Sequence, residues 1–154
     1  MTEKTWAVYL SGEIHSDWRE QIAMGVESAG LPVRLTAPVT IHADSDDCAA
    51  AIFGPQADRF WHDHSSAKLN SVRTATLIAE ADVVVVRFGE KYKQWNAAFD
   101  AGYAAALGKP VITLHRPEDD HALKDVDAAA KAVAREPAQV VQALVYVIRG
   151  ELPR

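Results

Sequence analysis

Short apolar runs alternate with longer segments of helical periodicity along this chain. Four runs are predicted to be buried strands, at residues 6–10, 33–35, 83–86 and 111–114. The third is a continuous run of valine, which is typical of a strand covered on both faces. The pattern therefore predicts strands that form the middle layer of a sandwich.

The segments between and after these strands have the spacing of amphipathic helices. We expect helices at residues 17–29, 67–79, 95–107, 125–134 and 138–149. The first begins as a capping box, with Asp17 followed three residues later by Glu20, and the third ends at Gly108 and Pro110. This alternation predicts an α/β fold: a three-layer sandwich with a mostly parallel sheet of four or five strands, flavodoxin-like or Rossmann-like. With 154 residues, we expect one domain.

The segment 36–65 is too long for an ordinary connection and has no clear period. It is predicted to be a lid, a binding loop or a small embedded helix. Its aromatic residues Phe53, Phe60 and Trp61 either pack the segment onto the domain or stack on a planar ligand such as a nucleobase. We expect the segment to close over a pocket, with Trp61 as the first candidate for stacking.

The same segment contains many potential metal ligands, but their spacing matches neither a zinc motif nor a calcium loop. A solvated polar loop is the better interpretation, so no metal or other cofactor is predicted. The residues are His42, Asp44, Asp46, Asp47, His62, Asp63 and His64.

Composition narrows the class of protein. The chain is 49% hydrophobic and 24% charged, with a net charge of −5, which argues against a broad basic surface for a nucleic-acid polymer. One cysteine, Cys48, excludes an internal disulfide framework, and a reducing cytoplasm is the expected compartment. The N-terminus has no long apolar region and no run is long enough to span a membrane, so neither a signal peptide nor a membrane partner is expected.

The segment 138–149 is apolar around much of its circumference. A helix of this kind is buried by more than one neighbour, which is either the domain itself or another subunit. We therefore predict a homo-oligomer.

The candidate chemistry lies where the strands end. In open α/β sheets ligands bind beyond the carboxyl ends of the strands, where the loop after residue 10 and the loop 89–94 should meet. Asn96, Asp100 and Tyr103 follow at helical spacing, so they share one helix face. The helix dipole is expected to keep Asp100 ionised. The alternative is a solvated aspartate on an ordinary amphipathic helix.

A resemblance sharpens this interpretation. The segment Asn96-Ala-Ala-Phe-Asp100-Ala-Gly-Tyr-Ala104, followed by Leu-Gly-Lys-Pro, resembles the signature of nucleoside 2-deoxyribosyltransferases, Asp-x-Gly-Thr-Ala-x-Glu-hydrophobic-Gly-Tyr-Ala and Leu-Gly-Lys-Pro. Over nearly its whole length the chain more narrowly resembles the YtoQ family. That likeness includes Val8-Tyr-Leu-Ser-Gly-Glu-Ile-His15, Arg87-Phe-Gly and Gln94-Trp-Asn-Ala-Ala-Phe-Asp100.

The resemblance implies glycosyl transfer with retention, in which a carboxylate attacks the anomeric carbon of a nucleoside or nucleotide. The family's nucleophilic glutamate falls on Asp100, which is one methylene shorter. The family's preceding acid is replaced by Gln94, and the aspartate expected near Thr74 is absent. Glu13 or Asp63 can take the place of the second carboxylate if the loops fold inward.

The other candidates are expected to bind substrate. Gln94 and Asn96 are amides that can hold sugar hydroxyls or a base edge. Trp95 and Tyr92 can stack on the base, although Trp95 and Phe99 can equally belong to the core. Arg87 binds a phosphate or forms a salt bridge to Glu13 or Asp100. The remaining substrate-binding candidates are Ser11, Gly12, Glu13, Trp61, Asp63 and Tyr103.

Two functions of different classes follow. The first is an enzyme that transfers or hydrolyses an N-glycosidic bond. The second is a non-catalytic module that binds or senses a nucleoside or nucleotide, which loss of the acid at position 94 favours.

Overall fold

The computed structural model describes residues 2–154 and contains one five-stranded, wholly parallel sheet. Each strand pairs in parallel with its neighbours, in the order β2-β1-β3-β4-β5. This confirms the predicted α/β sandwich, and the order is that of flavodoxin-like folds. The strands are β1 (Trp6–Gly12), β2 (Val33–Thr36), β3 (Val83–Arg87), β4 (Val111–Leu114) and β5 (Ala132–Ala134).

Six α-helices accompany the strands, and a 3₁₀ turn at Pro117–Asp119 follows β4. None of the helices in the described part of the chain combines the length and the apolar character needed to cross a bilayer. The helices are α1 (Trp18–Ser28), α2 (His42–Phe53), α3 (Arg59–Glu80), α4 (Trp95–Ala106), α5 (Lys124–Ala129) and α6 (Pro137–Arg149).

Alternate side chains of the strands build two cores, one on each face of the sheet. Val8 and Val85 face α1 and α6, whereas Tyr9, Val84 and Val86 face α4 and the end of α3. The second face is the one that positions the candidate site.

The domain itself buries most of α6. Val140, Leu144 and Val145 are buried in the first core, while Tyr146 and Val147 are exposed. The apolar residues of α6 are therefore mostly covered by the domain itself. The predicted oligomer needs a different surface for its subunit contact.

The structure corrects three predictions of secondary structure. Of the alternatives for the segment 36–65 the structure has an embedded helix, α2, but α3 begins at Arg59 rather than at residue 67. At that start the Asp58 side chain accepts a hydrogen bond from the backbone of Trp61 at 2.9 Å. Residues 132–134 form edge strand β5 rather than the end of a helix. The Asp17 capping box does not form, since that side chain accepts from Gln21 at 2.7 Å and makes no capping bond.

Gly12 is required at the end of β1 by its contact with β3. Its φ is +117°, and a Cβ there would lie 2.1 Å from the carbonyl oxygen of Arg87, its partner in the β1–β3 register. The sequence predicted Gly12 as a substrate-binding residue. The structure shows that a side chain at this position is excluded by the contact with β3.

Two glycine substitutions should change stability in opposite directions. Gly12→Ala should lower the free energy of unfolding by about 2 kcal/mol or more, since it adds overlap with Arg87 and backbone strain. Gly102→Ala should raise it by about 0.5–1 kcal/mol, because Gly102 lies within α4 and an added Cβ meets nothing within 4 Å. Urea unfolding measures both. Equal stability of the Gly12→Ala protein and the wild type would contradict the described approach of β1 to β3.

Candidate functional site

A cleft of about 690 Å³ lies at the carboxyl edge of the sheet. The loop after β1 and the start of α4 form one side, and α2 with one face of α3 forms the other. This is where ligands bind in open α/β sheets. The lining residues are Gly12, Glu13, Ile14, His15, Pro38, Val39, Ser45, Asp46, Arg59, Asp63, Ser66, Ala67, Asn70, Ser71, Arg73, Thr74, Gln94, Asn96, Ala97, Phe99 and Asp100.

Asp100 lies on the cleft-facing side of α4. Ala97, Ala101 and Ala104 bury the adjacent face of the helix against the sheet. The hydroxyl of Ser11, at the end of β1, donates to Oδ2 of Asp100 at 2.7 Å. The nucleophile candidate is therefore fixed by a strand and a helix rather than by a mobile loop.

Burial dominates the electrostatics of this carboxyl group. It raises the pKa of Asp100, and the hydrogen bond from Ser11 opposes the rise only partly. The sequence predicted that the helix dipole keeps Asp100 ionised. That effect fades beyond the first turn, and Asp100 is the sixth residue of α4, so desolvation dominates.

Tyr9 is a buried neighbour that the sequence reasoning did not select. It precedes Ser11 by two residues, on the same sheet face, and its hydroxyl has no hydrogen-bond partner within residues 2–154. Burial raises the pKa of Tyr9, and the charge of Asp100 raises it further. The hydroxyl is thus a neutral donor close to the carboxylate. The two-residue spacing from Ser11 was a signal that could have identified it.

Glu13 holds the loop after β1 in place. Its carboxylate accepts hydrogen bonds from the backbone of His15 at 2.7 Å, from the backbone and hydroxyl of Ser16, and from Nε of Arg87 at 3.3 Å. Burial favours a raised pKa for Glu13, but the hydrogen bonds from Ser16, His15 and Arg87 outweigh it and lower the pKa. Of the two roles predicted for Arg87, the structure has the salt bridge to Glu13, and Arg87 does not line the cleft.

The structure divides the other predicted binding residues into two groups. Gly12, Asp63, Gln94 and Asn96 line the cleft together with Asp100. Four aromatic candidates do not line it. Tyr92 contacts the ring of His15 at 4.9 Å, Trp95 is 75% exposed, Tyr103 stacks on Phe99 at 6.3 Å, and Trp61 packs edge-on against Phe60 at 5.2 Å.

Asp63 was predicted, but the sequence reasoning did not select Ser66, Asn70 and Arg73 of the same helix, because only the fold brings that helix opposite α4. Asp63, Ser66, Asn70 and Arg73 follow at helical spacing along the cleft face of α3. Phe99 is the aromatic side chain of α4 that lines the cleft. The period of polar residues along α3 was the available signal.

A second cluster, outside the cleft, joins β4 to α5. Nε2 of buried His115 lies 2.8 Å from Asp127, and Nδ1 lies 2.9 Å from the carbonyl of Arg116 and 3.7 Å from Asp120. Among residues 2–154, His115, Asp120 and Asp127 are the group whose side-chain atoms lie close enough together to bind a metal ion. Its carboxylates lie at opposite nitrogens of one ring, however, and Asp120 is paired with Arg135. We interpret the cluster as a structural ion-pair network.

Burial of the Asp100 charge has a consequence for stability. A carboxyl group with a raised pKa in the folded state binds protons more tightly there than in the unfolded chain, so its contribution to stability decreases as pH rises through that range. Asp100→Asn should therefore raise the melting temperature at neutral pH. The gain should disappear once pH falls below the ordinary range of an aspartate. A pH series of thermal melts of both proteins measures this, and a gain that is constant with pH would contradict a buried charge.

Comparison with known proteins identifies the family. The family model described as nucleoside 2-deoxyribosyltransferase YtoQ matches residues 9–148. The uncharacterized protein YtoQ of Bacillus subtilis strain 168 is 43% identical over 145 residues, which cover 94% of this chain and 97% of that protein.

Solved structures share the fold at low sequence identity. A conserved protein from Enterococcus faecalis V583 superposes with a TM-score of 0.61 at 16% identity, covering 92% of this chain and 98% of the other. The 2-deoxyribosyltransferase of Bacillus psychrosaccharolyticus superposes with a TM-score of 0.53 at 14% identity, covering 88% and 90%. These likenesses concern the fold, whereas the family match concerns the sequence. The family model and the relative at 43% identity show that the chain belongs to the YtoQ family of nucleoside 2-deoxyribosyltransferase-like proteins.

Proposed function

We propose that this protein transfers or hydrolyses the N-glycosidic bond of a nucleoside or nucleotide, with Asp100 as the nucleophile. The observation that carries the proposal is the position of Asp100, a desolvated carboxylate in a cleft, fixed by Ser11 at 2.7 Å. The family description and the fold shared with a 2-deoxyribosyltransferase support this reaction class.

In the proposed reaction, an oxygen of Asp100 attacks the anomeric carbon as the bond to the base nitrogen breaks. The bonding electrons leave with the base, which takes a proton from a donor in the cleft or from water. Water or a second base then displaces Asp100 from the glycosyl ester, which restores the original configuration. Partial desolvation makes the carboxylate more reactive because fewer water molecules must be removed before attack.

The cleft offers groups for the sugar and the base. Asn96 lies one helical turn before Asp100, so its amide is suited to a sugar hydroxyl, and Gln94 is suited to a base edge. Phe99 supplies an aromatic wall. Asp63 is the better candidate for the second carboxylate, since the oxygens of Glu13 are engaged by the loop after β1 and by Arg87.

The remaining predicted binding residues keep more distant roles. Trp61, Tyr92, Trp95 and Tyr103 can reach a ligand only by rearrangement of side chains that now contact other residues or solvent. Ser11 acts through Asp100, and Arg87 acts through Glu13.

A non-catalytic binding or sensing module is the second candidate. It is favoured by Gln94 at the position of the family's acid and by the engagement of Glu13 in structural hydrogen bonds. Incubation with a panel of nucleosides and deoxynucleoside monophosphates, followed by chromatography for free base, separates the two functions. Thermal shift with the same panel reveals binding without turnover.

The proposal extends to assembly and compartment. One face of α4 carries Trp95, Phe99 and Tyr103, of which Trp95 is 75% and Phe99 72% exposed. Apolar surface of this kind is commonly covered by another subunit. A homo-oligomer in a reducing cytoplasm, acting on a small molecule rather than a nucleic-acid polymer, is consistent with this surface, with one cysteine and with the net charge of −5.

Removal of the Asp100 charge should abolish turnover without loss of fold. Asp100→Asn should lower the rate of base release by about three orders of magnitude or more, because it removes the nucleophile while preserving size. Asp100→Glu should be impaired, since its carboxylate reaches about 1.5 Å further and misplaces the attacking oxygen. Chromatography of released base measures both rates.

Asp125→Asn is a matched control, because it removes the same charge from an exposed position on α5. It should retain full activity. Wild-type turnover by the Asp100→Asn protein on a verified substrate would exclude the glycosyl-transfer mechanism.

The assembly should depend on the exposed face of α4. Light scattering at micromolar concentration should give a multiple of the chain mass, and Trp95→Lys should shift the population toward monomer by placing a charge in the interface. Met24→Lys, a similarly exposed site on α1, serves as the control and should leave the mass unchanged. A monomeric wild type would exclude the proposed subunit contact.

A further inference from the structure

The cleft face of α3 changes its charge along the helix. Asp63 lies near the N-terminal end of this face and Arg73 near the other end, with Ser66 and Asn70 between them. Ten residues of helix separate Asp63 from Arg73 by about 15 Å along the axis. The acidic and basic ends of the wall are therefore far enough apart to contact different parts of one ligand.

Arg73 has unused hydrogen-bonding capacity. Its Nε donates to the carbonyl of Ala37 at 3.2 Å, which anchors the side chain against the loop after β2. Its two terminal nitrogens make no hydrogen bond and no ion pair with residues 2–154. An anchored guanidinium with free terminal donors is suited to an oxyanion, since the two nitrogens can donate in parallel.

The other arginines near the sheet edge are less available. Arg87 is paired with Glu13 at 3.3 Å and does not line the cleft. Arg59 lines the cleft, but its side chain is 92% exposed and lies 3.9 Å from Asp63. Arg73 is therefore a better candidate than Arg87 for binding a phosphate group.

Three hydroxyl groups also line the cleft, those of Ser71 and Thr74 on α3 and that of Ser45 on α2. The Ser71 and Thr74 hydroxyls donate to carbonyls of their own helix, at 2.6 and 3.4 Å. The Ser45 hydroxyl accepts from Asn70 at 3.2 Å, so its own proton is free to bind a ligand. Hydroxyl groups and a guanidinium are common ligands of phosphate oxygens. The acidic lining residues Asp46 and Asp63 have partners of their own, His42 and Arg59.

Arg73 and Asp100 line the same cleft, Arg73 from α3 and Asp100 from α4. Asp100 and Arg73 form no ion pair with each other. The cleft thus carries a carboxylate and a guanidinium that are not paired with each other and are both available to one ligand.

We infer that Arg73, with the hydroxyl of Ser45, forms a subsite for a phosphomonoester, and that the ligand is a nucleoside 5′-monophosphate rather than a free nucleoside. The inference rests on the proposed function, because it takes the anomeric carbon to lie at Asp100. The sugar then bridges the two charges, with the 5′-phosphate at Arg73.

Calorimetry on the Asp100→Asn protein tests the subsite, since this background prevents turnover during the measurement. The ligands are the four common 2′-deoxynucleosides, their 5′-monophosphates and inorganic phosphate, at low ionic strength. At least one monophosphate should bind about tenfold or more tightly than its nucleoside, as expected for charge-assisted hydrogen bonds. Inorganic phosphate should compete with the monophosphate and not with the nucleoside.

Substitutions assign the preference to Arg73. Arg73→Gln should remove the advantage of the monophosphate and leave nucleoside affinity unchanged, while Arg73→Lys should retain part of it. Arg34→Gln, an exposed arginine on β2 outside the cleft, is the matched control and should change neither affinity. Melting temperatures show whether each variant is folded. If Arg73→Gln does not fold, a fully retained preference in Arg73→Lys overturns the inference and a reduced one supports it.

Three outcomes would overturn the subsite: equal affinity for nucleoside and monophosphate, equal loss of both in Arg73→Gln, or binding of neither. Base release by the wild type is scored separately. Release from nucleosides without a preference for monophosphates would retain the proposed function and reject the subsite. Monophosphate binding that depends on Arg73, without release of base from any compound, would retain the subsite and reject the reaction.

Discussion

The close pairing of β1 with β3 is the constraint on which the site depends. The carbonyl of Arg87 lies where a side chain at position 12 would be, so the strand can end there only with glycine. The same pairing brings the Arg87 side chain to Glu13, and Glu13 then holds the backbone of the loop that follows. One side of the cleft is thus set by strand register, which is far stiffer than a free loop.

The fold keeps the Asp100 carboxylate largely buried, and this burial disfavours its charged form. The alanine face of α4 brings the helix close to the sheet, and this closeness removes water from the carboxylate. The Ser11 hydroxyl donates one hydrogen bond to this carboxylate. The neighbouring Tyr9 hydroxyl has no hydrogen-bond partner in the described chain. Incomplete satisfaction of buried polar groups is uncommon in structural cores and is frequent at sites that bind ligands.

The sequence was sufficient for the central part of the fold because there the local signals agree. The valine run of β3, the alanine-rich α4 and the Gly108-Lys-Pro110 ending all favour the same β-α-β unit. In the segment 36–65 a helix could not be distinguished from a loop, because α2 buries only Ala49 and so has little apolar period to detect. The three-residue β5 follows directly on a helix and has alanine at both ends, which is no strand signal.

Within the candidate site, residues beside a recognised motif were easier to find than those opposite it. Asp100, Asn96 and Gln94 follow from α4 and its entry, and all three line the cleft. Arg73 and Asn70 lie on a distant helix, and only the folded chain brings that helix opposite α4. Exposed aromatic residues were overvalued, since sequence alone does not show that Tyr92 contacts His15 or that Tyr103 stacks on Phe99.

The length of α3 has a mechanical consequence. It is one helix of 22 residues, and its C-terminal end is held in the core by Ile78. At 1.5 Å per residue, Asp63 lies about 22 Å from that anchor and Arg73 about 7.5 Å. A small tilt about Ile78 would therefore displace Asp63 about three times as far as Arg73. The width of the distal end of the cleft is therefore the more sensitive to how α3 packs on α2, while the end nearest Ile78 keeps its dimensions.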